Sequence, residues 1–324
     1  MISTEKFNIF DEWINIKVFS ECNYSMKEET KKLFKGYFNV DNKEIMIPID
    51  YNIYLLSNDH NINFMDNLDE HKIFISKKDH KLYLVMKENN KEEEIIYYKR
   101  IIESLRNRIL EKKGAIFFHA SSISIDGNAA IFVGEKNSGK TTTMLNYLTE
   151  RNGKYISNDR TALIKKDGKT IAIGSPTNIG IRAKTIESNK KLRGALPKKI
   201  NENIKLDDEA RMSISIRELR EKLNIKDVKE AKLKWIFFIE HTKNETATIK
   251  KISYEELINQ IGKQRVEGTY KKNRMLKQCI ETKENDIQNI ISKNVEGYYF
   301  SQDGNCSEIL YEFFKKSINQ EREI

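Results

Sequence analysis

The sequence predicts an α/β protein in which a β-rich N-terminal lobe precedes a core built around a phosphate loop. Three observations carry that expectation. The first hundred or so residues hold short apolar runs separated by polar Asn, Asp, His and Lys clusters. A long amphipathic run ending in lysines and glycine follows them. From Ala115 onward comes a succession of apolar strands, one of which runs straight into a glycine-rich loop and a helix-forming segment.

Taken in order, strands are expected at residues 16–19 (IKVF), 45–49 (IMIPI), 52–56 (NIYLL), 72–76 (KIFIS) and 81–87 (KLYLVMK), where β-branched and aromatic residues gather between turns. Short strands repeated in this way predict an antiparallel lobe. EEEIIYYKRIIESLRNRILEKKG then places Ile95, Ile101, Ile102, Leu105 and Ile109 at helical spacing and closes on lysines and a glycine, as a helix end does. The chain accordingly divides into an accessory or substrate-recognition domain at 1–112 and a nucleotide-binding catalytic domain at 113–324.

Within the second domain, SISIDGNAAIFV reads as a hairpin turning at Asp126-Gly127, and a second hairpin is expected around Asp167-Gly168. Between them GKYISNDR forms a strand ending at Asn158 and Asp159. SPTNIGIRAK is too rich in Ser, Thr, Asn and Gly to be ordinary core. Leu219, Leu223 and Ile225 suggest a helix or connection, and KWIFFIEH at 234–241 is a clear apolar strand. EELINQIGKQR and MLKQCIETKENDIQNIISKN look helical. The tail reads as a short strand or turn and a terminal helix whose Ile309, Leu310, Phe313 and Phe314 face a core.

Composition narrows the class. With 39% hydrophobic and 32% charged residues, and 57 Lys plus Arg against 48 Asp plus Glu, the 324-residue chain is globular, not fibrous or wholly disordered. Its formal charge of +9 comes from lysines interleaved with glutamates, and no zinc finger, helix-turn-helix or aromatic-basic strip organises it, so no nucleic acid is expected. Cys22, Cys279 and Cys306 are too few and too far apart for a thiolate cage or a disulfide framework, which fits a reducing compartment. No run approaches the roughly 20 apolar residues a membrane span needs, and a cytoplasmic protein without membrane partners is expected.

Gly134-Glu135-Lys136-Asn137-Ser138-Gly139-Lys140-Thr141 matches G-x-x-x-x-G-K-[ST], follows the strand AIFV and precedes the helix-forming TTTMLNYLTER. Both contextual requirements of a phosphate loop are met. Successive amides of such a loop face phosphate oxygens, and the helix presents its positive end to the same charge. Residues 134–141 and Thr142 are the nucleotide-binding candidates; Lys140 reaches the β and γ phosphates and Thr141 coordinates magnesium.

Six further positions are candidates for chemistry. Asp159 follows the next strand, where its carboxylate serves either magnesium or a turn. His119, 15 residues before the loop, is a proton acceptor or phosphate donor if its strand neighbours AIFV, and otherwise a structural histidine. Arg182 and Arg193 offer guanidinium groups to an acceptor or to charge developing in transfer, with Arg182 preferred. Glu240 and His241 close KWIFFIEH, where ordinary strand-end chemistry is the better reading.

Taken together, HASSISIDGNAAIFVGEKNSGKTTTMLNYLTERNGKYISNDR resembles the catalytic core of HPr serine kinase/phosphorylase and the kinases of the phosphoenolpyruvate carboxykinase-like fold. The match covers 115–182, and less closely extends to 241. It implies a phosphoenolpyruvate carboxykinase-like P-loop kinase core, ATP and Mg²⁺ as cofactors, His119 near the γ phosphate, Lys140 on phosphate, Thr141 and Asp159 at magnesium, and Arg182 toward the acceptor. Where the family frequently has two aspartates, this chain has Asn158-Asp159, so phosphorylase activity is not inherited from the resemblance. The later glycine-rich HPr-interaction signature has no obvious copy either. The expected activity is Mg-dependent transfer of the γ phosphoryl group of ATP to a hydroxyl of a peptide, protein or small metabolite. A nucleotide-hydrolysing conformational switch and an inactive, nucleotide-dependent peptide-binding module are the alternatives.

Overall fold

The computed structural model describes residues 100–175, 178–195, 212–240, 247–269, 282, 284–301 and 307–320, together with backbone alone in the strands at 2–9, 12–20, 39–40, 49–56, 73–76 and 81–85 and at 91–99, 211, 241, 302, 321 and 322, so the side chain of Ile95 lies outside the described residues. The three cysteines, most of the IMIPI run, and residues 275–281 and 283 of MLKQCIETKENDIQNIISKN lie outside the described residues. The chain divides into two compact units, Met1–Gly114 with Gly268–Glu284, and Ala115–Glu267 with Asn285–Ile324.

The first unit holds β1 (Ile2–Ile9), β2 (Glu12–Ser20), β3 (Asn39–Val40), β4 (Ile49–Leu56), β5 (Ile73–Ser76), β6 (Lys81–Val85) and α1 (Lys91–Lys112). Its six strands form one sheet in the order β3-β1-β2-β4-β6-β5. The expectation of an antiparallel lobe is corrected here: β1 and β2 pair antiparallel, but β2 with β4 and β4 with β6 run parallel. The segments joining those parallel pairs, residues 21–48 and 57–80, are long enough for the crossovers that parallel pairing requires. In α1, Ile101, Ile102, Leu105 and Ile109 are buried at the spacing of one helical stripe. Asn107 of that helix donates from Nδ2 to the Gly268 carbonyl at 2.8 Å, and Gly268 N–H donates to Glu111 Oε1 at 2.9 Å.

The second unit contains β7 (Ile116–Phe118), β8 (Ala120–Ile125), β9 (Asn128–Val133), α2 (Lys140–Glu150), β10 (Lys154–Ser157), β11 (Thr161–Lys166), β12 (Lys169–Ile173), β13 (Ile179–Arg182), α3 (Ala183–Ser188) and α4 (Lys190–Ala195). It continues with β14 (Arg211–Ile214), α5 (Ile216–Leu223), β15 (Glu230–His241), β16 (Thr248–Ile252), α6 (Tyr254–Gly262), β17 (Arg265–Val266), α7 (Ile287–Ile290), β18 (Glu296–Gln302) and α8 (Ser307–Arg322). Eight of these strands follow one path, β10-β8-β9-β15-β12-β11-β7-β17, with β18 on β15 and β16 on β18. The sheet is mixed: β15 runs parallel to β9 and β18 and antiparallel to β12.

Both expected hairpins form. Asp126 and Gly127 have φ of 47° and 80°, and Asp167 and Gly168 have 50° and 72°, the left-handed pairs that close two-residue turns with the twist of the flanking strands. Alternation then sorts the core. On β9 and β15, Ile131, Val133, Ile236 and Phe238 join an aliphatic cluster on one face. Phe132 stacks on Phe237 at 5.7 Å, and Trp235 and Phe237 meet Phe314 of α8 at 5.0 and 5.7 Å. Tyr147 of α2 touches the same Phe314 edge-on at 5.4 Å, so the terminal helix braces the helix that follows the phosphate loop.

Candidate nucleotide site

The site begins where β9 ends. Antiparallel pairing of β8 with β9 sets Ala120 opposite Val133, so His119 precedes the loop's partner strand just as Gly134 follows the other. This neighbour is β8, not the AIFF strand β7, which pairs with β11 and β17 instead. His119 stands at the break between β7 and β8, with its own N–H given to the Gln264 carbonyl at 2.9 Å.

The loop takes the backbone its residues allow. Gly134 has φ of 150°, and a Cβ there would lie 2.7 Å from the Ile239 carbonyl oxygen of the parallel strand β15. Asn137 and Gly139 have φ of 75° and 97°. Gly139 opens α2 without a side-chain cap, and no acidic residue occupies the first turn, so neither competes there for the helix's amides and positive end. Lys140 is 8% exposed and its Nζ donates to the Gly134 and Glu135 carbonyls, both at 2.8 Å. Burial lowers its pKa, and the Asp159 carboxylate partly restores it.

β10 delivers the polar side. Asn158, 4% exposed, accepts at Oδ1 from Thr141 Oγ1 at 3.0 Å and from Ser121 Oγ at 2.8 Å. Asp159 has φ of 67°, and the Arg160 N–H donates back to the Asn158 carbonyl at 2.8 Å. That i to i+2 bond around a positive φ is the uncommon, strained form of γ-turn, and strain of this kind gathers at functional positions. The turn carries Asp159 Oδ1 to 3.2 Å from His119 Nε2. The His119 hydrogen bond lowers the Asp159 pKa; burial opposes this, and the charges of Arg160 and Lys140 add to the lowering.

A cleft of about 470 Å³ joins these groups. Of the expected residues, His119, Lys136, Asn137, Gly139, Lys140, Thr141, Thr142, Asp159 and Arg182 line it. Gly134, Glu135 and Ser138 do not line it, although the first two supply the carbonyls that hold Lys140. Arg193 on α4 and Glu240 on β15 are exposed and outside the cleft. The side chain of His241 lies outside the described residues. Asn158, Asn178, Gly180, Thr185 and Ser213 complete the lining; the last four went unremarked individually, although the polar texture of SPTNIGIRAK was a signal for Asn178 and Gly180.

Thr141 hydroxyl and Asp159 carboxylate line the cleft together, hard oxygen donors of the kind that could hold a magnesium ion which keeps waters and phosphate oxygens among its ligands. Among the described residues no helix is long and apolar enough to cross a membrane. No family model matches the chain, and no curated protein matches it. Among solved structures, it is similar to the HPr(Ser) kinase/phosphatase from Coxiella burnetii at 11% identity, over 64% of this chain and 99% of that one, with a TM-score of 0.33. That likeness is distant and loose, and the α/β description rests on the mixed sheet and helices themselves.

Proposed function

We propose that the protein is a phosphotransferase that moves the γ phosphoryl group of ATP to a hydroxyl. The observation that carries this reading is the convergence, in one cleft, of an uncapped phosphate loop and a hydrogen-bonded His119–Asp159 pair. Thr141 and Asp159 are the residues that would hold Mg²⁺, which when bound neutralises charge on the β and γ phosphates. Lys140 exchanges its two loop carbonyls for phosphate oxygens. Asn158 keeps the Thr141 hydroxyl oriented by accepting its proton side.

His119 is the proton acceptor. Its Nε2 donates to Asp159 Oδ1, which leaves the Nδ1 lone pair for the acceptor hydroxyl. The acceptor oxygen bonds to the γ phosphorus, the bond to the β–γ bridging oxygen breaks, its electron pair leaves with ADP, and the hydroxyl proton passes to His119. A neutral amide at Asn158 cannot take that proton, which is why the histidine is assigned the role. Arg182, on the opposite wall, serves the acceptor side.

The test is mass spectrometry of candidate peptides and a metabolite extract after incubation with the protein, Mg²⁺ and γ-labelled ATP, beside a Lys140→Ala control. A labelled acceptor absent from the control supports the reading. Labelled inorganic phosphate alone would replace it with the hydrolytic switch, and bound nucleotide with neither product would leave the inactive binding module.

A further inference from the structure

The φ of 67° at Asp159 is uncommon for a residue with a side chain, and the chain holds that turn from two sides. On the near side, the Arg160 N–H closes on the Asn158 carbonyl, and the buried Ser157 donates from Oγ to the Arg160 carbonyl. On the far side, Arg160 Nε donates to the Glu267 carbonyl at 3.1 Å. Glu267 ends a short strip whose other contacts serve His119. Arg265 and Val266 of β17 pair with Phe118 and Phe117 of β7, and the Gln264 carbonyl takes the His119 N–H at 2.9 Å. β7 has β11 as its other neighbour, with Phe118 opposite Thr161. The residues next beyond these pairs, Arg160, His119 and Gln264, therefore meet at one end of three adjacent strands. The His119 backbone is bonded to residue 264 and the Asp159 turn, through Arg160, to residue 267, so one strip holds both halves of the His119–Asp159 pair.

We propose that Arg160 is a positioning residue: by anchoring the Asp159 turn to the strip that holds His119, its side-chain hydrogen bond sets the separation between the two groups. Arg160 does not line the cleft, so its effect on the chemistry passes through the pair. Without the anchor the strained turn relaxes toward ordinary backbone and Asp159 Oδ1 moves away from Nε2. The imidazole then turns freely, and its Nδ1 lone pair is no longer aimed at the acceptor hydroxyl. That catalytic consequence rests on the transferase reading above; the anchor itself rests on the hydrogen bonds.

Two substitutions in the whole chain test this. Arg160→Gln places an amide N–H as many bonds from Cα as the arginine Nε, and Arg160→Met matches that length with no donor. Both are neutral, so the difference between them reports the hydrogen bond and not the charge. The first readout is the proton resonance of His119 Nε2–H in ligand-free, ¹⁵N-histidine-labelled protein, assigned by its loss in His119→Asn. A slowly exchanging signal is expected in wild type and Arg160→Gln and none in Arg160→Met. The second is the single-turnover transfer rate with Mg²⁺ and ATP. It should fall about ten- to a hundredfold in Arg160→Met and stay within about threefold of wild type in Arg160→Gln, with affinity for magnesium-free ATP unchanged in both. Should Arg160→Met fail to fold, Arg160→Ala takes its place with the same expectations. The proposal is overturned if wild type lacks the signal, if Arg160→Met keeps it, or if Arg160→Gln loses it. It is equally overturned if Arg160→Met weakens binding of magnesium-free ATP, which would make Arg160 a phosphate contact. A signal lost in Arg160→Met with transfer still at the wild-type rate leaves the anchor standing and removes His119 from the proton step.

Discussion

His119 and Lys140 lie in one cleft but should fail differently when replaced. His119→Ala removes the proton acceptor without touching the loop, so transfer should slow by about two to four orders of magnitude while MgATP affinity holds. Equal losses in turnover and binding, read from single-turnover rates and calorimetry, would return His119 to a structural role. Lys140→Ala should lower both, because its ammonium meets the phosphates in the ground state and in transfer. Asp159 carries a pH signature. Its pKa is held below the ordinary carboxylate value by the His119 hydrogen bond, so its contribution to stability is present above that ordinary value and is lost as pH falls through the lowered one. Urea midpoints of Asp159→Asn should therefore show a shallower acid limb than wild type below about pH 4, and an unchanged limb would place the acid sensitivity elsewhere.

Element by element, the signals that could be read in the sequence were those that close locally. Asp-Gly at 126–127 and 167–168 demands positive φ and names its own hairpin, and the loop from Gly134 to Thr141 names its strand and helix by position. Partner choice is different: the strand at 52–56 looks the same whether its neighbours run parallel or antiparallel, so the parallel pairing of the first sheet is not legible in it. The cleft was legible on its phosphate side and dim on its far wall, because Asn178, Gly180, Thr185 and Ser213 are unremarkable until β13 and β14 pair. Gly134 can be tested at this scale. A Cβ there meets the Ile239 backbone, which cannot swing aside, and Gly134→Ala should cost about 1–3 kcal/mol on denaturant unfolding. The seam between α2 and α4 has no apolar signature either: Asn189, 3% exposed, donates to Asn146 Oδ1 at 2.9 Å and Thr149 Oγ1 at 2.8 Å and accepts from Leu192 N–H at 3.0 Å. Asn189→Leu, close in volume, strands those buried groups and should destabilise by about 1–3 kcal/mol per unsatisfied group.

At the scale of the whole second unit, stability converges on Phe314, 1% exposed, which touches Trp235, Phe237 and Tyr147 and so ties α8 to both the sheet and α2. Phe314→Ala should cost about 3–5 kcal/mol, and nucleotide affinity should weaken as the brace on α2 loosens. Wild-type affinity in a still-folded Phe314→Ala protein would show that α2 holds its place without the terminal helix. The order of the strands has a further consequence, for synthesis on the ribosome. β9 feeds the phosphate loop, yet its parallel neighbour β15 begins at Glu230 and is itself flanked by β18 at Glu296–Gln302. A nascent chain therefore exposes the open edge of β9 through a long stretch of translation, with the loop's floor at Ile239 still unmade. Competence to hold a phosphate should arrive late and abruptly, and until then the half-built sheet is a client for chaperones.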